Sequence, residues 1–482
     1  MTVMLGMIMA IIDATIVNVA LDNISGTLGA SVDDAAWIVT GYILASVITM
    51  PLNGWLTAYF GRKTFYAASI AVFTISSFLC GTATSIWQLV FYRVLQGFGG
   101  GTLQPTAQAI LFETFPPAKR GNAMAIFGLG AMVGPALGPL LGGWIVDNAT
   151  WPLIFFINIP IGITAFLMTM AFIPSPHYIA RPKGGIDWFG LGLMTAGLAS
   201  LQYVLERGQH DDWWSSSTIT LLAVVSAVTL SAFIFKTLRD EHPLVDLRAF
   251  RFKNFTLGNV LTVILGFGLF GTSLIMPLFF QASLGMTAYD TGVVLLPGAI
   301  ATAISMLVVG RLYNRVDSRI LITFGTLMFA LSCWMLGGLN QYSGYWDVYW
   351  PRVIQGFGLG FIFVPLTTLM LASIPKPELS SATGVSLLLR QVGGSFGIAI
   401  LTTLLARQTA VAWSALAGGV TQTHGQSVGT LTELVAQSSV VIAYDYLFRL
   451  CAIIFVISIP LIFFMSPPRS SSSEGMPAVA LD

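Results

Sequence analysis

Long apolar runs alternate with short polar connections along the whole chain. A helix needs about 20 mostly apolar residues to cross a bilayer. Fourteen such runs fall at roughly 3–21, 36–58, 64–82, 86–112, 121–146, 152–173, 187–205, 217–236, 255–282, 290–311, 319–339, 348–373, 380–406 and 443–465. Barrel strands would instead alternate in segments of about ten residues, and these runs are continuously apolar. The pattern predicts an all-α polytopic membrane protein with 14 transmembrane helices.

Composition agrees. Of 482 residues, 55% are hydrophobic before the 49 glycines are counted, and only 9% are charged. Soluble domains carry about 25% charged residues. The 22 basic and 21 acidic residues leave a net charge of +1, which excludes a nucleic-acid partner. Cys80, Cys333 and Cys451 lie far apart in apolar runs, so neither a disulfide framework nor a metal motif is expected. The first run has no basic flank and carries Asp13 in its middle, unlike a signal peptide.

Lysine and arginine mark cytoplasmic loops. Fifteen of them, including Arg62, Lys63, Lys119, Arg315 and Arg319, fall in loops after even-numbered runs; only Arg207 and Arg407 follow odd-numbered ones. Both termini are therefore expected in the cytoplasm, with the chain in the cell (inner) membrane. The charged connection at 237–253, an outer loop at 407–442 and a disordered tail from 467 to 482 are expected to lie outside the bilayer.

The chain repeats itself. Arg93-Val-Leu-Gln96-Gly97-Phe-Gly99 recurs as Arg352-Val-Ile-Gln355-Gly356-Phe-Gly358, and Pro116 recurs as Pro375, both 259 residues later. Gly54-Trp-Leu56 through Gly61-Arg62-Lys63 is echoed by Gly310-Arg-Leu312 through Asp317-Ser318-Arg319. A six-helix half at 1–180 and a second at 254–466 are thus expected, with two helices and a linker inserted at 181–253. Repeated halves around a midplane cavity are a common transporter plan.

Asp13 is an acid placed near mid-membrane, where insertion costs about 2.5–3.5 kcal/mol. It is expected to load and release protons, or else to be locked to an arginine or to backbone donors. Arg93 and Gln96 are three apart and share a helix face. Arg352 and Arg390 are the other deep cations. Gly130, Gly134, Gly138 and Gly142 form one stripe at i+4 spacing, which permits close helix contact, and Pro135 and Pro139 are expected to bend that span. No Gly-x4-Gly-Lys-Ser/Thr loop is present, so energy is expected from an ion gradient rather than from a nucleotide.

These residues resemble the major facilitator superfamily, and within it the fourteen-helix drug:proton antiporter branch (EmrB/QacA type). Asp13-Ala-Thr15-Ile16-Val17-Asn18 looks like the first-helix motif of that branch, and the Arg93/Gln96 segment like its fourth-helix motif. Gly54, Leu56, Gly61, Arg62 and Lys63 resemble the cytoplasmic gating motif, with Ala58 where the family pattern has an aspartate. Gly130, Gly134, Pro135, Gly138, Pro139, Gly142 and Gly143 match the antiporter motif, and the segment from Phe155 through Asn158 to Gly162 is also EmrB-like.

The resemblance implies a major facilitator fold of 6+2+6 helices and proton-coupled efflux of amphipathic or cationic drugs, with no cofactor. Asp13 and Arg93 would couple the proton, supported around the cavity by Asn18, Gln96, Arg352 and Arg390. It also implies either action alone or partnership with a periplasmic membrane-fusion adaptor and an outer-membrane channel. The competing expectations are a dedicated exporter or importer of one metabolite, siderophore-like or fatty-acid-like, and a non-transporting sensor or scaffold.

Overall fold

A computed structural model describes residues 2–174, 187–240, 243–420 and 428–466. Sixteen α-helices succeed one another: α1 Thr2–Leu28, α2 Val32–Thr49, α3 Asn53–Phe60, α4 Arg62–Gly81, α5 Ile86–Thr114, α6 Arg120–Asn148, α7 Leu153–Phe156 and α8 Asn158–Phe172; then α9 Trp188–Arg207, α10 Ser217–Arg239, α11 Lys253–Ala282, α12 Ala288–Leu312, α13 Ser318–Leu336, α14 Tyr345–Ala372, α15 Leu379–Val420 and α16 Val428–Phe463. No strand occurs among the described residues. Side chains close the helix starts: Ser31, Ser85, Asp187 and Asp317 each accept a backbone N–H, and Thr287 with Asp290 makes a capping box.

The expected spans are found within a few residues, with informative differences. The second span is broken, since α2 and α3 meet at 65° across Pro51, which has no N–H to continue the ladder. Among the described residues, twelve helices are long and apolar enough to span, or thirteen with this bent pair. The remaining expected run is α5, which is long enough but diluted by Gln88, Arg93, Gln96, Gln104 and Gln108. The outer loop expected at 407–442 is mostly helical, because α15 continues to Val420 and α16 begins at Val428. Its Thr, Gln and Ser look loop-like, yet it has no proline and its alanines favour helix. The boundary near 180 and the tail 467–482 lie outside the described residues.

Packing repeats as the sequence does. In the first half α1 lies on α6, α2 on α5, and α4 on α5 and α8; in the second, α11 lies on α15, α12 on α14, and α13 on α14 and α16. The inserted α9 and α10 pack on each other, with α9 also touching α2 and α15. Apolar side chains such as Ile75, Leu167, Phe172, Leu221 and Ile457 point outward, as contact with lipid requires.

Contact between the halves is concentrated at the end carrying Arg62, Lys119 and Arg315, here called the basic end. A Cβ on Gly54 would fall 2.6 Å from Ser381 Cβ, and one on Gly121 2.9 Å from Tyr313 Cβ. Asn53 Nδ2 donates to Ser380 O at 2.9 Å, and Asn314 Nδ2 to Ala118 O at 2.5 Å.

Candidate functional site

Asp13 sits midway along α1, wholly buried inside the first half rather than facing the cleft between halves. Three side chains donate to its carboxylate. Arg93 Nη1 of α5 reaches Oδ2 at 2.5 Å, while Gln96 Nε2 and Asn158 Nδ2 reach Oδ1 at 3.0 and 2.7 Å. Arg93 and Gln96 arrive together because they are one turn apart; Arg93 Nη1 also donates to Gln96 Oε1 at 2.6 Å.

The guanidinium is held independently of the acid. Its Nε donates to Ile38 O at 3.2 Å, and its Cζ lies 4.3 Å from the centroid of the Tyr42 ring. Asn158 Nδ2 also reaches Ser77 Oγ at 3.0 Å, whose hydroxyl donates to Phe155 O at 2.9 Å. Asp13, Arg93 and Gln96 are brought together as expected. Asn18 is not: it lies exposed farther along α1, with no contact to the cluster. Sequence reasoning placed Asn158 in a motif without giving it a role, and it missed Ser77 and Tyr42. Only folding brings them to Asp13.

The glycine stripe explains how α1 is held. A Cβ on Gly130 would meet Met4 and Met7, on Gly134 Ile11, on Gly138 Thr15, and on Gly142 Ile16, all on α1. Thr15 Oγ1 donates to Gly134 O at 3.3 Å. Gly143 faces open space and Pro139 is exposed, so neither belongs to this contact.

The second half carries a copy of the site without the acid. Arg352 donates to Gln355 Oε1, and Gln355 Nε2 to Thr272 Oγ1 at 3.3 Å. Thr272 stands 259 residues after Asp13, so the repeat preserves the frame but not the acid. Arg352 instead donates to Met276 Sδ at 3.2 Å. Arg390 of α15 lies 5.6 Å from the Phe363 ring centroid, and no acid pairs with it among the described residues. It lines a small pocket between the halves, with Gln108, Thr262, Phe363, Met370 and Ser386.

In the gating motif, Gly61 has φ +81°, a left-handed turn that glycine takes without strain. Arg62 pairs with Glu113 of α5 at 2.6 Å. Gly54 lets α3 approach α15, Leu56 packs in the apolar cluster below it, and Lys63 is half-buried.

Comparison with known proteins matches this architecture. The sequence profile of the Major Facilitator Superfamily matches residues 3–398. The chain is 34% identical to the fatty acid resistance protein FarB of Neisseria gonorrhoeae, over 98% of this chain and 96% of that protein. It is also 34% identical to the multidrug export protein EmrB of Escherichia coli (strain K12), over 97% and 94%. Among solved structures, the human organic anion transporter MFSD10 shares the fold with a TM-score of 0.64 at 12% identity, over 96% of this chain and 98% of that one. A double-tryptophan mutant of XylE gives 0.65 at 13%, over 97% and 95%.

Proposed function

The chain belongs to the Major Facilitator Superfamily, and on that premise we propose that it is a proton-driven exporter of toxic amphiphiles, working by alternating access in the inner membrane with both termini cytoplasmic. The loop charges support this orientation, which makes the basic end cytoplasmic and the present state closed on the inner side. Export agrees with the printed name of the EmrB relative, and resistance to amphiphiles with that of FarB. An adaptor and outer-membrane channel are compatible with it and are not required by the geometry.

The observation that carries the reading is the Asp13 cluster. A buried carboxylate is costly unless paired. Here it is paired to a cation that Ile38 O, Gln96 and Tyr42 would still hold if the acid took a proton. Asp13 can therefore change charge without releasing Arg93. The threonine at the equivalent position confines the exchange to one half. A proton moving down about 100 mV and half a pH unit releases roughly 3 kcal/mol, which sustains about a 150-fold substrate gradient.

The cavity bears on the substrate's head group. Its charge is Arg390, set among apolar side chains and the neutral polar Gln108, Thr262, Thr367 and Ser386, with no acid in its lining. That favours amphiphiles with an acidic head over the lipophilic cations expected from the family resemblance, and a fatty-acid-like metabolite also fits. The test is uphill pumping by proteoliposomes under an imposed pH gradient. Lipophilic acids should be concentrated and lipophilic cations should not, with Arg390→Gln removing the preference. Equal pumping of both classes overturns the head-group reading, and pumping indifferent to the pH gradient overturns proton coupling.

A further inference from the structure

The inserted helices do more than lengthen the chain. Near the basic end α2 and α15 meet directly, where a Cβ on Gly384 would strike Met50 O. Deeper in, Met194 and Leu198 of α9 pack in one apolar cluster with Val47 of α2 and Val385 of α15. Toward the opposite end α9 lies between the two halves, polar on both sides. On the α2 side the rings of Trp37 and Tyr203 are 5.8 Å apart, and Arg207 reaches Asp33 at 3.4 Å. On the α15 side Gln202 Nε2 donates to Ser395 Oγ at 2.8 Å, and Trp213 Nε1 to Thr403 Oγ1 at 2.9 Å.

Glu206 sits at the centre of this bridge. Gln202 Nε2 donates to its Oε1 at 2.8 Å while also holding Ser395, and the Thr40 hydroxyl of α2 faces the same carboxylate. The chain Thr40–Glu206–Gln202–Ser395 thus runs from one half to the other through α9. Among the charged groups nearby, Arg207 acts on the Glu206 carboxylate as well as reaching Asp33; His210 also meets Asp33 at 3.3 Å and Asp211 at 2.8 Å. The partners offered by α15, Ser395 and Thr403, are neutral, as are Ser226 and Leu230, which α10 sets against α9.

One polar atom in this chain has no partner. Gln202 Oε1 is buried and accepts no hydrogen bond. A carboxylate needs the amide N–H2 that it now receives, whereas a carboxylic acid needs an acceptor. A half-turn of the Gln202 amide would present Oε1 to a protonated Glu206, with the Ser395 hydroxyl donating in place of accepting. Bonds to an ionised group are roughly twice as strong as neutral ones, so the tie from α2 to α15 loosens on protonation.

We propose that Glu206 is a second proton-binding coupling site, read by Gln202, whose protonation frees α9 so that the outer ends of α2 and α15 can close. The step moves one proton from outside water to the carboxylate, and no other bond is made or broken. It deepens the proton-driven reading above and rests on it.

The test reads conformation directly. Spin labels at Asn23→Cys and Ala406→Cys, exposed on α1 and α15, report the outer opening of the purified full chain across pH. The parent should close in two steps as pH falls. Glu206→Gln should remove one step and Asp13→Asn the other, the double variant should be flat, and Glu206→Asp should restore the step at shifted pH. In proteoliposomes Glu206→Gln should still transport downhill while its concentrative ratio falls at least tenfold. A parent-like profile in Glu206→Gln overturns the proposal. So does loss of downhill transport in both Glu206→Gln and Glu206→Asp, which would make the residue a strut. A parent-like profile in Asp13→Asn overturns the Asp13 assignment alone and leaves the Glu206 step standing.

Discussion

Asp13 and Arg93 are both wholly buried, so each depends on the other for charge balance. Removing one member of such a pair costs about 3–5 kcal/mol, because the remaining charge is left uncompensated. Asp13→Asn is therefore expected to lower thermal stability as well as abolish uphill pumping. Asp13→Asn with Arg93→Gln removes both charges; it should recover most of the melting temperature and none of the pH-driven accumulation. Uphill pumping by that double variant would place the coupling acid elsewhere. At this scale the sequence was legible only where a residue was costly by itself. Asp13 stood out because an acid in mid-span needs a reason. Asn158 and Ser77 did not, since their roles are pairings made across the fold. Glu113 pairs with Arg62 across the fold, and Glu206 was hidden beside Arg207 at the end of its run.

Helices are where the sequence spoke most clearly, because each apolar run carries its own length requirement. Its errors are physical too. A bend between α2 and α3 depends on one proline, and the extension of α15 and α16 past the expected loop depends on helix propensity in polar sequence. The glycine stripe on α6 was legible as a packing face, but not its partner, which is the helix that carries Asp13. That pairing yields an internally controlled prediction. Gly134→Ala and Gly138→Ala place a methyl against Ile11 and Thr15, and overpacking of this kind costs about 1–3 kcal/mol. Both should lower the melting temperature and impair coupling by pushing α1 away from Arg93. Gly143→Ala, which meets open space, should behave as the parent. Equal effects from all three would mean that the stripe acts through helix propensity rather than through α1.

Across the whole molecule the two halves share a frame and differ in chemistry. Ser46 Oγ donates to Gly97 O at 3.3 Å, and Ser305 Oγ to Gly356 O at 3.4 Å, the same contact 259 residues apart. The acid of this shared frame stands at Asp13 and not at Thr272, so under the proposed mechanism this carboxylate acts in one half alone. Direction then depends on which end faces the cytoplasm. The basic end, closed here through Asn53, Gly54, Ala118 and Asn314, is the end that the proposed orientation, from the distribution of lysine and arginine, turns inward. Tyr342, 86% exposed between α13 and α14, belongs to the opposite end, and Arg315 is exposed at the basic end. The native Cys80, Cys333 and Cys451 are buried and form no background. Tyr342→Cys should react with a membrane-impermeant maleimide on intact cells, and Arg315→Cys only after permeabilisation. The reverse pattern would turn the molecule over: the closed end, with Gly54 to Lys63, would then face outward.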